Sequence, residues 1–291
     1  MALAATRPTI TRDKNIPFLN PIPDGCITLG LADEMICDHD HYNTGDEERA
    51  NGCGGVYYQR SYVTPDGWTI IERTPCKCMI SIMQQQEQEK AAAQIRSRKE
   101  YISRMAAHYF GDYDMMRDDV YNQMALPNYR PRDLSQQTAL NKIKEFQVGS
   151  ESVCLYGAAG LGKTHLALGA ARAASKHGYS VLALKAIDLL TRIRRTYDKK
   201  DDVGEIDIMR VLKNIDLLVI DDIGVEKTTE WVLAKFYEVI DYRHGRRSTI
   251  YTTNLTGKEM KAKEGMALVS RIWGSELRME IEGKDWRVAG N

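Results

Sequence analysis

The segment Gly157-Ala158-Ala159-Gly160-Leu161-Gly162-Lys163-Thr164 constrains this chain more than any other part of its sequence. It follows an apolar run, Ser152 to Tyr156, and leads into His165-Leu-Ala-Leu-Gly-Ala-Ala-Arg-Ala-Ala, a run of helix formers. Strand, glycine-rich loop and helix in that order are the context a phosphate loop requires. The glycines let backbone N–H groups close around phosphate oxygens, and the helix N-terminus adds its positive dipole. Lys163 is placed to reach the β- and γ-phosphates and Thr164 to offer its hydroxyl to magnesium. Residues Gly157 to Thr164, with His165 beside them, are therefore expected to bind ATP or a close relative of it.

Further apolar runs at Ser180–Leu184, Asp216–Ile220 and Ser248–Thr252, and a short one near Met279–Ile281, alternate with helical patterns. Such alternation predicts an α/β fold with a central, mainly parallel sheet covered by helices on both faces. The run Asp216–Ile220 leads into Asp221-Asp222, which places two carboxylates at the end of a buried strand. Asp221 is expected to hold magnesium, directly or through water, and Asp222 to orient and deprotonate an attacking water. The next strand ends at Asn254, whose amide could reach both that water and the γ-phosphate; capping the turn after the strand is the plainer role. Two arginines, Arg271 and Arg287, are further candidates, because a planar, permanently charged guanidinium suits the spread charge of phosphoryl transfer.

The remaining sequence is organised differently. Residues 1–24 contain four prolines and no regular period, and read as a flexible arm. Residues 25–79 hold five of the six cysteines together with the alternating run Val56–Val63, the turn Pro65-Asp-Gly67 and a second run from Trp68 to Ile71. These predict a small β-hairpin module. Clustered cysteines in a reducing compartment favour a metal over disulfides. Residues 80–123 open with helix formers free of Gly and Pro, and predict a linker helix with a narrow stripe of Ile80, Met83, Ile95, Ile102 and Met105. Lys and Arg balance Asp and Glu at 40 each, so overall charge does not identify a partner. No run approaches the roughly 20 apolar residues of a membrane span and no signal peptide is evident, so a cytoplasmic protein is expected.

Taken in order, GAAGLGKTH, LLVIDDIG, YTTN, LVSRI and DWR resemble the AAA+ ATPases of the DnaC/DnaI helicase-loader family and the related IstB transposition helpers. The resemblance covers about residues 124–291, beginning with Leu126-Pro-Asn-Tyr-Arg130. It implies an AAA+ domain without a C-terminal lid, preceded by a small zinc-binding β module that grips a hexameric replicative helicase. By the same likeness Arg271 matches an arginine finger acting on ATP held by a neighbouring subunit, which implies self-association, and Arg287 a sensor arginine acting in its own site. Many such ATPases carry Glu where this chain has Asp222, and the shorter side chain could slow hydrolysis.

In relatives the cysteine pattern runs through two knuckles. Here Cys53-Gly-Gly and Pro75-Cys76-Lys-Cys78 survive, while the first cysteine is displaced to Cys37. Cys37, Cys53, Cys76 and Cys78 are the expected Zn²⁺ ligands, with Cys26, His39 or His41 as alternatives. Cys154, in a core strand, reads as a small apolar residue. A loader is also expected to touch single-stranded DNA, and Thr191-Arg-Ile-Arg-Arg-Thr-Tyr-Asp-Lys-Lys200 is the best local candidate, though a solvated helix end explains it too. The sequence thus points to an ATP-dependent helicase loader. A transposition helper assembling on duplex DNA, or a zinc-bearing DNA-binding adaptor with a decayed ATPase, are the alternatives.

Overall fold

The computed structural model describes residues 27–36, 56–67, 69–73, 77–197, 203–226, 229–264 and 266–283. The chain divides into two compact units, Met1–Gln94 and Ile95–Asn291. The first contains an antiparallel sheet in the order β1 (Ile27–Ile36), β2 (Val56–Val63), β3 (Thr69–Arg73). The expected hairpin is β2 and β3, closed where the Gly67 N–H donates to Thr64 O at 2.9 Å and Gly67 takes φ 85°. Strand β1 was not anticipated. It carries Gly30 and the acids Asp33 and Glu34, which break the apolar alternation, and its pairing with β2 shifts register on both sides of Gly30. The arm at 1–24 and Cys26, Cys37, Cys53 and Cys76 lie outside the described residues; Cys78 is the second residue of the helix α1, and its side chain is not described.

Helix α1 (Lys77–Phe110) runs unbroken for 34 residues, as its composition predicts. Its expected stripe holds only in part. Ile102 is buried, but Met83 and Ile95 are more than half exposed. The apolar face is Ile102, Ala106 and Phe110, spaced by four, with Met105 and Tyr109 beside it, and these residues belong to the core of the second unit. The last turns of the expected linker helix thus belong to the second unit. Ala106 is too small to mark the stripe in the sequence.

The second unit is built on a five-stranded sheet in the order β5-β6-β7-β4-β8, parallel throughout. Its strands are β4 (Val153–Tyr156), β5 (Val181–Lys185), β6 (Leu217–Ile223), β7 (Ser248–Thr253) and β8 (Leu277–Glu280). Four fall on the predicted runs; the fifth begins two residues early. Alternate residues feed opposite faces. Leu182, Leu184, Leu218 and Ile220 join a core formed with α4 (Ala186–Arg195), α5 (Glu205–Asn214), α6 (Glu230–Arg243) and α8 (Met266–Trp273). Val153, Leu155, Leu217, Val219 and Ile250 face α2 (Leu134–Glu145) and α3 (Lys163–Lys176). Cys154 is fully buried and its thiol pKa is pushed up to about 12 by that burial, consistent with an inert apolar residue. A shorter helix, α7 (Gly257–Glu264), follows β7. Among the described residues no helix is long and apolar enough to cross a membrane.

Candidate nucleotide-binding site

The phosphate loop joins β4 to α3, at the carboxyl ends of the strands. Gly157, Gly160 and Gly162 take φ of 135°, 75° and 85°, a region side chains rarely adopt. Two of them are also closed sterically. A Cβ on Gly157 would lie 2.2 Å from Ile281 O, and one on Gly162 would lie 2.7 Å from the Tyr129 ring. The loop is therefore held between the end of β8, where the Ile281 N–H donates to Tyr156 O, and the Tyr129 ring.

Lys163 opens α3 and is buried. Its ammonium donates to Gly157 O at 2.8 Å, Ala158 O at 2.6 Å and Asn254 Oδ1 at 2.8 Å. Asn254, just beyond β7, turns its amide nitrogen toward Asp222 and donates to Oδ1 at 2.8 Å. Lysine, asparagine and aspartate thus form one continuous chain of hydrogen bonds. Next to it, the Thr164 hydroxyl donates to both oxygens of Asp221, at 2.9 and 3.1 Å.

Consecutive residues in a flat strand point to opposite faces, so Asp221 and Asp222 should not share a pocket. The register between β6 and β7 shifts from Ile220 to Ile223, and Asp222 has φ 60°, the one positive value among the described residues other than glycine. That kink turns both carboxylates to the same cavity. Thr252 holds it: its hydroxyl accepts from the Asp222 N–H at 2.8 Å and donates to Asp221 Oδ1 at 2.6 Å. Sequence reasoning passed over Thr252. The strand holds four hydroxyl residues of this kind, Ser248, Thr249, Thr252 and Thr253, so its sequence does not single out Thr252. Burial raises the pKa of Asp221; the hydrogen bonds from Thr252 and Thr164 oppose that shift, and the charge of Asp222 adds to it.

These groups line a cavity of about 430 Å³. Met124, Asn128, Tyr129, Arg130 and His165 line it as well. His165 Nε2 is 2.9 Å from Ala125 O and its ring meets Tyr129 edge-on, 5.2 Å between centroids. The Tyr129 hydroxyl is pushed up to about 12, first by burial and then by the charge of Asp133, so the ring is neutral. Polar groups beside an aromatic and sulfur-bearing wall suit a ligand with a charged tail and a flat base. The glycine cradle and the paired Thr164 hydroxyl and Asp221 carboxylate fit a nucleoside triphosphate with its magnesium ion.

Of the expected site residues, the cavity gathers Ala159 to His165, Asp221, Asp222 and Asn254, while Gly157 and Ala158 sit behind it against Lys163. Arg271 does not line it. It lies on α8, with Nε and Nη2 at 3.0 and 2.9 Å from Asp241 Oδ1. Arg287 lies outside the described residues, as do three of the four expected zinc ligands. The basic segment from Thr191 is largely folded onto its own domain: Arg192 donates to Tyr109 O, and Arg194 stacks over Trp231 at 4.8 Å and Arg195 over Tyr113 at 5.5 Å. Asp198 to Lys200 are not among the described residues.

The family profile of IstB-like ATP binding proteins matches residues 77–284. The chain belongs to that family. The chain is also similar to the replicative helicase loader DnaC of Buchnera aphidicola subsp. Acyrthosiphon pisum, at 28% identity over 181 residues, covering 60% of this chain and 74% of that protein. Similarity to DnaC of Escherichia coli strain K12 is 27% over 182 residues, with 57% and 74% covered. A crystal structure of the DnaC helicase loader superposes with a TM-score of 0.51 at 26% identity, over 57% of this chain and 100% of that one. DnaA from Aquifex aeolicus, solved with AMPPCP, shares the fold at 23% identity and a TM-score of 0.50, over 58% of this chain and 54% of its own. The IstB-like family and these AAA+ neighbours agree with the five-stranded parallel sheet and with the phosphate loop at its carboxyl edge.

Proposed function

We propose that this IstB-like protein is an ATP-dependent loader of a hexameric replicative helicase that delivers the helicase to single-stranded DNA. The observation that carries the reading is the joint match of site and relatives: a cavity that gathers Lys163, Thr164, Asp221, Asp222 and Asn254 at the phosphate loop, on a domain whose similarity extends over the whole of a solved DnaC chain.

In this reading Gly157 to Thr164 cradle the phosphates, Lys163 neutralises the β- and γ-phosphate oxygens, and Tyr129 and His165 flank the base. Thr164 and Asp221 hold magnesium, which supplies charge neutralisation at the phosphates. Asn254 orients the attacking water. Asp222 accepts its proton through the carboxylate oxygen that Asn254 leaves free. Arg271 reaches the site of a neighbouring copy, since in its own chain it does not line the cavity, and Arg287 serves its own site. The cysteine module, with zinc on Cys37, Cys53, Cys76 and Cys78, binds the helicase.

Capture on an immobilised hexameric replicative helicase, with and without ATP, tests the loader role. Retention sensitive to nucleotide is expected, and no retention in either condition refutes it. The family match itself favours a second reading, a transposition helper that assembles on duplex DNA. Electron microscopy with duplex DNA and a non-hydrolysable nucleotide separates the two, because protein-coated duplexes formed without helicase support the helper.

A further inference from the structure

A second groove, of about 780 Å³, opens between α7, α8 and the edge strand β8. Lys258 and Lys261 lie one turn apart on α7, and Arg278 projects from β8. All three are exposed. Neither lysine has an ion-pair partner among the described residues, and Arg278 spends one nitrogen on Trp273 O at 3.0 Å. The acids nearby are engaged. Glu280, which lines the groove, accepts from the Tyr156 hydroxyl at 3.2 Å, and Glu259 accepts from the backbone and hydroxyl of Thr256.

The walls between the cations are aromatic. Trp273 and Tyr156 are half-buried, with ring centroids 4.9 Å apart and planes inclined by 47°. The indole edge rests on Gly257, where a Cβ would lie 2.8 Å from Nε1, so a glycine at the start of α7 lets the ring settle against the helix. Three cations spread along a groove, not converging on one point, suit a string of phosphates, and partly open ring faces suit unpaired bases. A base-paired duplex hides those faces. The segment from Thr191, by contrast, has spent Arg192, Arg194 and Arg195 on its own backbone and rings.

We propose that the groove lined by Lys258, Lys261, Arg278, Trp273 and Tyr156 is a binding site for single-stranded nucleic acid. The inference goes beyond the loader reading, which needs such a partner but does not locate it. The groove also borders the nucleotide site along the chain: Tyr156 precedes Gly157, Thr256 follows Asn254 by two residues, and Ser270 precedes Arg271. A strand bound here touches the segments that carry the phosphate loop, the water-orienting amide and the arginine.

The test is fluorescence anisotropy of labelled oligothymidylate against full-length protein over a range of salt. Replacing Lys258, Lys261 and Arg278 together by Ala is expected to weaken binding about tenfold or more and to flatten the salt slope by about 2, three contacts at roughly 0.7 each. Trp273→Leu is expected to weaken it about five- to a hundredfold, with Trp273→Tyr restoring most of the loss. DNA-free ATP turnover and helicase capture stay at wild-type levels in the triple variant, which separates this site from the loader reading. A duplex of equal length that binds as tightly as the single strand overturns the proposal, as does unchanged affinity in the triple variant. So does loss of self-association in sedimentation with per-subunit DNA affinity intact, which would assign the groove to a second copy of the chain. Parallel titration with oligouridylate decides whether the strand is DNA or RNA, and binding of neither refutes the site.

Discussion

Replacing Thr252 by Val removes one oxygen and keeps the shape of the side chain. In the native site that oxygen accepts from the Asp222 N–H at 2.8 Å and donates to Asp221 Oδ1 at 2.6 Å, in a position 1% exposed. A hydrogen bond to a charged group contributes about 1.5–3 kcal/mol, and an orphaned buried N–H costs about 1–3 kcal/mol. Partial relaxation leaves a net cost of about 2–4 kcal/mol, which at about 2–4 °C per kcal/mol for a domain of this size lowers the melting temperature by roughly 5–15 °C. The activity should suffer more specifically. This contact helps hold the Asp222 backbone at φ 60°, so if half the cost is felt in the transition state, ATP turnover falls about tenfold. The Thr252 bond also favours ionised Asp221, so its loss raises a pKa that burial has already raised. In the folded chain the proton is then held more tightly than in the unfolded one. Without magnesium, stability therefore declines as pH rises from the ordinary Asp value through the raised one. Magnesium favours the charged form, so its affinity declines as pH falls through the same window, and the acid limb of turnover moves to higher pH in the variant. Thermal unfolding with pH-resolved, magnesium-dependent phosphate release measures all of this, with Thr252→Ser as control. A Val variant whose magnesium dependence and pH profile match wild type would refute the reasoning.

Gly162→Ala puts a Cβ 2.7 Å from the Tyr129 ring at φ 85°, and should reduce fluorescent ATP-analogue binding more than tenfold, with partial recovery in Gly162→Ala combined with Tyr129→Leu. Asp222→Asn keeps the bond from Asn254 but loses the proton acceptor, so phosphate release should drop by roughly 10²–10⁴-fold while nucleotide affinity changes little. Mixing Arg271→Ala with Lys163→Ala protein should regain part of the turnover each lacks alone, because intact Lys163 of the first then faces intact Arg271 of the second; no recovery at any ratio argues against action between subunits. Arg243, fully buried, donates to Leu212 O and Ile215 O at 2.8 Å and to Thr249 Oγ1 at 2.9 Å; Arg243→Met should cost about 3–5 kcal/mol in urea unfolding by leaving those oxygens unpaired.

What the sequence made legible followed from local periodicity and from fixed motif spacing. The five strands of the parallel sheet and the full length of α1 are written in runs of apolar and helix-forming residues, each readable from its own neighbours. The phosphate loop, Asp221, Asp222 and Asn254 are readable because each sits at a strand end that topology must bring to one edge of the sheet. The kink that aims Asp222 is not readable, since an Asp-Asp pair has no spacing that announces a positive φ. Thr252 was invisible for the same reason: its importance lies in contacts with a different strand. The basic run from Thr191 misled in the opposite direction. Arginines drawn in sequence as a charged patch pair in three dimensions with a carbonyl and with rings contributed by α1, α6 and the turn after α1.

The geometry of the site also bears on what ATP is for. Asp222 is one methylene shorter in reach than Glu, and one of its oxygens already accepts from Asn254, so it offers a single free oxygen to water from a fixed position. We expect slow hydrolysis from this geometry, and a slow step would give the bound nucleotide time to act through equilibrium. If the groove at Trp273 takes a nucleic-acid strand, its lining segments continue directly into Gly157, Asn254 and Arg271. Any free energy of coupling between the two sites is then reciprocal: the factor by which the strand changes ATP affinity is the factor by which ATP changes affinity for the strand. Measuring ATP-analogue affinity with and without oligothymidylate therefore reads the same number twice. In the groove variant without Lys258, Lys261 and Arg278 the two ATP-analogue affinities should become equal, because a strand that no longer binds at that position has nothing to couple.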